Sequence, residues 1–381
     1  MEFGWTDTQE ALYAETVAQV RTCIAPLIEA RGVEHQFSRD EWHACAAAGL
    51  LGLGVPQALG GRGLGWVSSA RAIEAFGYAS EDAGLPFAAA AHLLAVAIPI
   101  AEFGSHELQR ELLPGMCAGE LVGANAITEA GSGSDVFALQ TTAVRDGDDY
   151  ILTGTKTYVS NGPIADIVLA YATINPRHGF LGVTAFAVDA HAPGIRQEPG
   201  FEKTGLRSVP VSVMHFEGCR VPARRRVGQD GQGGSIFNRS MLWERACLVA
   251  AFLGVMERQL ERAVTFAKQR RQFRAPLAQF QAVSHEIVGM KLRLEASRLL
   301  LYRGCWLAER GEPAAAEVSM AKLSVTESAI RLGVEGTQLL GGFGIQGGAG
   351  MERAGRDALA ASIASGTANM QRQIIANGLG L

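Results

Sequence analysis

Glu244 and Arg245 stand side by side in the run SMLWERACLVAAFLGVMERQLERAVTFAKQRR, which has almost no polar residue between Ala246 and Met256. On a helix, Glu244 shares a face with Leu248, Ala251 and Val255, so its carboxyl is expected to be buried. Desolvation raises a carboxyl pKa toward the range in which it works as a general base. On these residues alone the plainer role is a glutamate in the first turns of a helix, favoured by the dipole and a nearby cation. A second stretch, IASGTANMQ (Ile363 to Gln371), supplies no base: Ser365 is an alcohol, and no Asp or Glu follows Asp357. The segment ITEAGSGSD (Ile127 to Asp135) suits an anion, because small residues let the backbone approach a phosphate and Ser134 can donate to it.

Other patterns carry less. GGRGLG (Gly60 to Gly65) follows no clear strand and lacks the lysine of a Walker motif, so a plain turn is expected. Arg224 to Arg226 form the densest cationic run, which reads equally as a docking patch and as a solvated cluster. His92 and His285 lie on largely apolar helical patterns without metal-ligand spacing, and no metal site is expected. The six cysteines are far apart and form no C-x-x-C, which predicts reduced core thiols.

Three regions must position these groups. Residues 1–120 carry helical patterns, with start signals at Ser38 and Ser105. Residues 121–233 change to short segments rich in Val, Ile, Thr, Tyr and Phe, with no helices between them, which predicts an antiparallel β barrel or sandwich. Residues 234–381 return to long amphipathic patterns of a helical bundle, including a helix after Pro313 and another after GGFGIQGGAG. The fold class is therefore multidomain α+β. At 381 residues and 48% hydrophobic the chain is globular, and a net charge of −4 gives no general field for nucleic acid or an anionic membrane. The N-terminal MEFGWTDTQE lacks a basic segment followed by an apolar one, and apolar runs such as AVAIPIAEFG are too short to span a bilayer, so a cytoplasmic location is expected.

Six motifs in order resemble those of the acyl-CoA dehydrogenases: ITEAGSGSD, KTYVSNG (Lys156 to Gly162), KTGLRS with F-x-G-x-x-V-P and GQDGQG, RRQFR with FQ, QLLGGFG (Gln338 to Gly344), and SGTANMQ. The likeness covers nearly the whole chain and implies an N-terminal helical domain, a middle β domain and a C-terminal four-helix bundle. It also implies noncovalent FAD between the last two, in a homotetramer built as a dimer of dimers. Cofactor contacts then fall to Ile127, Thr128, Gly133, Ser134, Tyr158 over one flavin face, Ser160 near N5, Thr367 and Asn369. Arg270, Phe273, Gln281, Gln338, Gly341 and Gly342 would serve the FAD of a neighbouring subunit. Ala130, Ser132 and Arg274 depart from the family pattern; where Arg274 stands the family has glycine, and a positive φ there would disfavour arginine.

The family removes an α-proton with a glutamate that often precedes Gly-Thr, where this chain has Ser365. Some branches carry it instead on the first long bundle helix, next to an arginine 25 positions before the arginine of the R-x-x-F motif. Arg245 lies 25 positions before Arg270, and Glu244 precedes it. By resemblance, Glu244 is the base, Arg245 binds substrate, and the Ser365 N–H holds the thioester carbonyl. Within the family the chain is most similar to the dehydrogenases of aminoacyl carrier proteins, especially the L-prolyl type. That implies a proline thioester on the phosphopantetheine of an acidic carrier protein, oxidised to pyrrolinyl or pyrrolyl, with O₂ or an electron-transfer flavoprotein as acceptor. A short or branched-chain acyl-CoA dehydrogenase, or an inactive flavin-binding scaffold, are the other readings.

Overall fold

The computed structural model describes residues 4–32, 36–346 and 350–381. The first three residues of MEFGWTDTQE and residues 347–349 of GGFGIQGGAG lie outside them. Helix α1 (Asp7–Gln19) opens on a capping box between Thr6 and Gln9 and runs through a π turn at Val20–Ile24 into α2 (Ala25–Arg31). Then follow α3 (Arg39–Ala47), α4 (Trp66–Ala79), α5 (Gly84–His92), α6 (Ile98–Phe103) and α7 (His106–Cys117). Ser38 and Ser105 cap α3 and α7 as expected, their hydroxyls accepting from the N–H groups of Glu41 and Leu108. GGRGLG is the turn before α4, with Gly60 at φ 88° and Gly63 at φ 63°.

The apolar run read as too short for a bilayer is longer than it looked. A π turn joins α5 to α6, and Gly84–Phe103 is one 20-residue helix of mean hydropathy 1.8, long enough to cross a membrane by length and composition. It is instead the core of this region, with 89% of its apolar window buried in the fold. His92 on this helix is fully buried and accepts the Gly123 N–H at Nδ1; burial pushes its pKa down to about 4, so it is a neutral core residue. All six thiols are free, and only Cys23 is exposed.

One sheet fills the middle region: β1 (Gly123–Ala126), β2 (Thr142–Asp146), β3 (Asp149–Ser160), β4 (Ile167–Thr173), β5 (Val183–Asp189), β6 (Ile195–Gln197), β7 (Val211–Pro222) and β8 (Arg226–Val227). Its order is β6-β7-β3-β2-β4-β5-β8, with β1 beside β4. Most pairs are antiparallel as expected, but β1 pairs parallel with β4 from Gly123↔Ile167 onward. The β2–β3 hairpin between them supplies the long crossover that a parallel pair needs.

The last region is helical: α8 (Gly233–Trp243), a π turn at Glu244–Leu248, α9 (Ala250–Gln269), a small hairpin β9 (Arg271–Gln272) and β10 (Ala275–Pro276), α10 (Gln281–Glu309), α11 (Ala315–Leu340), α12 (Met351–Ile363) and α13 (Ala368–Gly378). Ala246 to Met256 is buried on every side, as the composition predicts. Helix α4 crosses α9 at backbone distance through two glycines: a Cβ on Gly77 would lie 2.0 Å from the Ala251 carbonyl oxygen, and one on Gly254 2.1 Å from that of Glu74. Gly77→Ala must push these backbones apart, so it is expected to lower unfolding free energy by about 3 kcal/mol. A melting temperature equal to that of the wild type would contradict this packing.

Candidate active site

Glu244 opens the π turn and is 6% exposed. It follows the whole of α8 rather than beginning a helix, so the first-turn, dipole-stabilised role does not apply. The π turn also breaks the regular alignment expected with Ala251 and Val255, since it inserts an extra residue into the turn. What fixes the helix here is aromatic: Trp243 stacks on Trp66 of α4 with centroids 3.6 Å apart, and its indole N–H donates to Glu102 at 3.0 Å. Arg239 also pairs with Glu102 at 2.7 Å.

The Glu244 carboxyl reaches across to IASGTANMQ. The Ser365 hydroxyl donates to Glu244 Oε2 at 2.5 Å, while Oε1 is buried and has no partner among the described residues. Burial raises the Glu244 pKa to about 7, against the Ser365 hydrogen bond and the charges of Arg245 and Lys322, which lower it. Ser365, where the C-terminal segment lacks a carboxylate, thus holds an oxygen of the helix glutamate. Ser365 takes a left-handed φ of 53° and Gly366 φ 90°. The Ser365 N–H has no partner among the described residues, as a donor reserved for a ligand requires. Arg245 Nε donates to the Ser365 carbonyl at 3.3 Å, so the structure uses it to hold this turn. The Thr367 hydroxyl caps α13 by accepting the Met370 N–H, and Asn369 is exposed on the first turn of that helix.

The residues assigned to FAD fall into two groups. On the β side, a bulge between Lys156 and Val159 throws Tyr158 out of the sheet at φ 55°. Its ring is 68% exposed and lies 5.6 Å from that of Phe201, leaving a face free to cover a flat cofactor. Half-buried Ser160 ends the same strand, and the Thr157 N–H donates to the Thr128 carbonyl at 2.8 Å, which sets Ile127 and Thr128 beside it. The following loop is open where a phosphate would approach: among the described residues a Cβ on Gly131 or Gly133 meets nothing within 4 Å and the buried Ser132 hydroxyl has no partner, and Ser134 is exposed. An accessible small-residue loop, an unpaired buried hydroxyl and a free aromatic face fit FAD.

The second group gathers at one end of the bundle. Arg270 ends α9, Phe273 tips the hairpin at 90% exposure, Gln281 begins α10, and Gln338 leads α11 into Gly341 and Gly342. Stacked Phe266 and Phe343 rings, 5.8 Å apart, hold these ends together. The hairpin forms despite the arginine in the family's glycine place: Phe273 and Arg274 take φ 49° and 67°, the primed two-residue turn. Arg274→Gly is therefore expected to raise stability by about 1 kcal/mol, read as a higher melting temperature; a lower one would refute the strain.

Four residues around the candidate site escaped the sequence reading. Lys322 of α11 and Gln371 of α13 donate to the Gly366 carbonyl at 2.6 and 2.7 Å, and Tyr171 of β4 is a buried group whose pKa the Glu244 charge helps raise. Asp357 on α12 accepts the Leu206 N–H at 2.6 Å and so ties the KTGLRS loop of the β region to the bundle. A lysine set in the apolar stripe VSMAKLSV was the one visible signal. The cationic run is locally paired: Arg224 and Arg225 share Glu111, and Arg226 binds Asp230 at 2.7 Å. That favours a neutralised cluster over a dock.

A helical region, a β sheet and a helical bundle in this order are the architecture of the acyl-CoA dehydrogenases. The chain belongs to that family: profiles of its N-terminal, middle and C-terminal domains match residues 6–120, 124–219 and 231–380. It is 45% identical to an L-prolyl-[peptidyl-carrier protein] dehydrogenase of Pseudomonas fluorescens, covering 100% of both chains. Its fold superposes on that of PigA with FAD and proline at a TM-score of 0.98, with 38% identity and 100% of each chain covered. The prolyl acyl carrier protein oxidase AnaB gives a TM-score of 0.96 at 38% identity, over 99% of this chain and 100% of that one.

Proposed function

We propose that this chain dehydrogenates an L-prolyl thioester carried on the phosphopantetheine of a peptidyl carrier protein, giving a pyrrolinyl thioester and, after a second oxidation, a pyrrolyl one. The observation that carries the reading is the Glu244–Ser365 pair: a buried carboxyl poised near neutrality, with one oxygen held and the other open. Full-length relatives named for prolyl carrier proteins, and a full-length structural neighbour solved with FAD and proline, supply the substrate class.

Glu244 takes the α-proton at its open Oε1. The Ser365 N–H donates to the thioester carbonyl, stabilising charge that develops there as the proton leaves. Ser365 Oγ keeps the carboxyl in place, so the base does not have to be ordered by the substrate. Ile127, Thr128, Gly133, Ser134, Tyr158 and Ser160 would hold FAD, which when bound would supply the acceptor for the β-hydride. A dead scaffold would have no need of a buried ionisable group with one oxygen left unpaired among the described residues, which costs stability.

Assembly as a homotetramer, a dimer of dimers, completes the proposal. Val288, Leu292 and Leu299 on α10 and Val334 on α11 are exposed apolar side chains, each 53% or more accessible, suited to a second copy. The bundle end bearing Arg270 and Phe273 would then meet the neighbour's FAD. A cytoplasmic setting agrees with six free thiols. The test is anaerobic mixing of the yellow protein with prolyl carrier protein and, separately, with isovaleryl-CoA. Bleaching of the flavin by the first is expected; bleaching only by the second would replace the substrate, and none with either would return the scaffold reading.

A further inference from the structure

We propose that Lys322 is a positioning residue of the dehydrogenation: by anchoring the Gly366 carbonyl it holds Ser365 in the conformation that puts its hydroxyl on Glu244 and leaves its N–H open. This rests on the reading of Glu244 as the base.

Lys322 lies two turns into α11 and is 1% exposed. A buried ammonium is costly, and an apolar residue would serve the packing of this helix better. Its donors go to two places on one turn: the Gly366 carbonyl at 2.6 Å and the Ser362 carbonyl at 3.3 Å, the latter one of the carbonyls left open at the end of α12. No carboxylate forms an ion pair with it among the described residues; its bonds are to the turn.

That turn is strained. Ser365 is a non-glycine residue at φ 53°, a conformation that persists only where its surroundings over-determine it. Side chains from three elements do so. Gln371 donates to both carbonyls, at 3.3 Å to Ser365 and 2.7 Å to Gly366, and Arg245 donates to that of Ser365 at 3.3 Å. Lys322 makes the shortest of these anchoring bonds, and with Arg245 it brings positive charge to the turn. The charged and titratable groups facing it are Glu244 and Arg245 from the π turn, with Tyr171 of β4 behind Glu244. Burial, and then Arg245, push the Lys322 pKa down to about 7, against the pull of Glu244. Its positive charge favours the ionised Glu244 and so lowers the pH at which the base becomes active.

Two substitutions separate anchor from charge. Lys322→Met removes both; Lys322→Gln keeps a donor for the Gly366 carbonyl. Each holoenzyme is mixed anaerobically, across pH, with whichever thioester of a prolyl carrier and acyl-CoA panel reduces the wild type. K322M is expected to reduce about 100-fold more slowly at saturating substrate, the effect of misplacing a reacting group by about an ångström, with the rising limb of its pH profile displaced upward. K322Q is expected to recover about tenfold of that loss while keeping the displaced limb. A lysine that merely caps α12 would leave K322M within about threefold of wild type with its limb unmoved, and that result overturns the proposal. So does a K322Q no faster than K322M. If K322M fails to hold FAD, the limb of K322Q decides: displaced supports the role, unmoved overturns it. A crystal structure of K322Q or K322M is read whether or not any thioester reduces the wild type, which keeps a wrong substrate distinct from a wrong anchor. In K322M it should show Ser365 out of the left-handed region and its hydroxyl off Glu244; an unchanged turn overturns the inference.

Discussion

Glu244→Gln is expected to fold, to bind FAD as the wild type does, and to reduce it with a prolyl thioester about 10⁴-fold more slowly, the upper range for loss of a general base. Glutamine keeps the shape and still accepts from Ser365, so neither cofactor binding nor the turn should suffer. The wild type itself should show a reduction rate that climbs with pH through about 7, where Glu244 loses its proton. The same group makes a prediction about stability with a fixed sign. Its folded pKa of about 7 lies above the ordinary 4.5, so the folded chain binds this proton more tightly than the unfolded one. The stability it contributes is complete below about pH 4.5 and is lost as pH rises through 7, a loss of about 3 kcal/mol by about pH 8. Glutamine has no proton to lose. The variant should therefore melt above the wild type at about pH 8 and converge with it toward about pH 5. Reduction at the wild-type rate would remove Glu244 from the mechanism. A melting difference independent of pH would remove it from the list of strained ionisable groups.

How much of this was legible beforehand depended on the range of the interaction. The three regions showed in the texture of the chain because period and turn chemistry are local, and the caps at Ser38 and Ser105 for the same reason. Glu244 was found through its spacing to Arg245 and Arg270 and through the apolar run behind it. Its partner was not: Ser365 lies 121 residues away, and its side chain read only as the loss of a carboxylate, with its backbone N–H as the substrate donor. The π turn at Glu244–Leu248 was hidden because ERACL has the composition of its helical flanks and nothing local marks the inserted residue. Lys322 was passed over because a lone lysine on a helix is usually solvated, and only packing reveals that α12 and α13 close over it. The left-handed Arg274 was anticipated as a conflict with the family glycine, and the chain accepts the strain rather than changing the hairpin.

Lys156→Met is the substitution expected to cost the most stability. Lys156 is 0% exposed on β3, and its ammonium donates to Glu129 Oε1 at 2.8 Å and to the Ile127 carbonyl at 3.0 Å. Glu129 also receives the N–H groups of Gln140 and Thr141, at 2.7 and 2.9 Å, and the Thr141 hydroxyl at 2.5 Å. These contacts fasten the ITEAGSGSD loop to the sheet, so one buried ion pair carries the place where the cofactor's phosphates would lie. Burial alone would raise the Glu129 pKa, but the Lys156 charge and the bonds from Lys156, Thr141 and Gln140 hold it below the ordinary value. Methionine fills the space and leaves a buried carboxylate without its cation, which costs about 3–5 kcal/mol. In the wild type the depressed pKa means that this carboxylate stabilises the fold above its unfolded pKa and ceases to do so as pH falls through the folded one. In the variant the sign reverses, because a Glu129 without its cation prefers to be protonated, so K156M should recover part of its loss on acidification. Glu129→Gln added to K156M should restore stability toward the wild type, since removing both charges costs less than removing one. Flavin fluorescence during heating reports both effects at once: K156M should release FAD well below the wild-type temperature, and the double variant should release it in between. A double variant no more stable than K156M would show that the loop is held by its backbone bonds and that the ion pair is incidental to it.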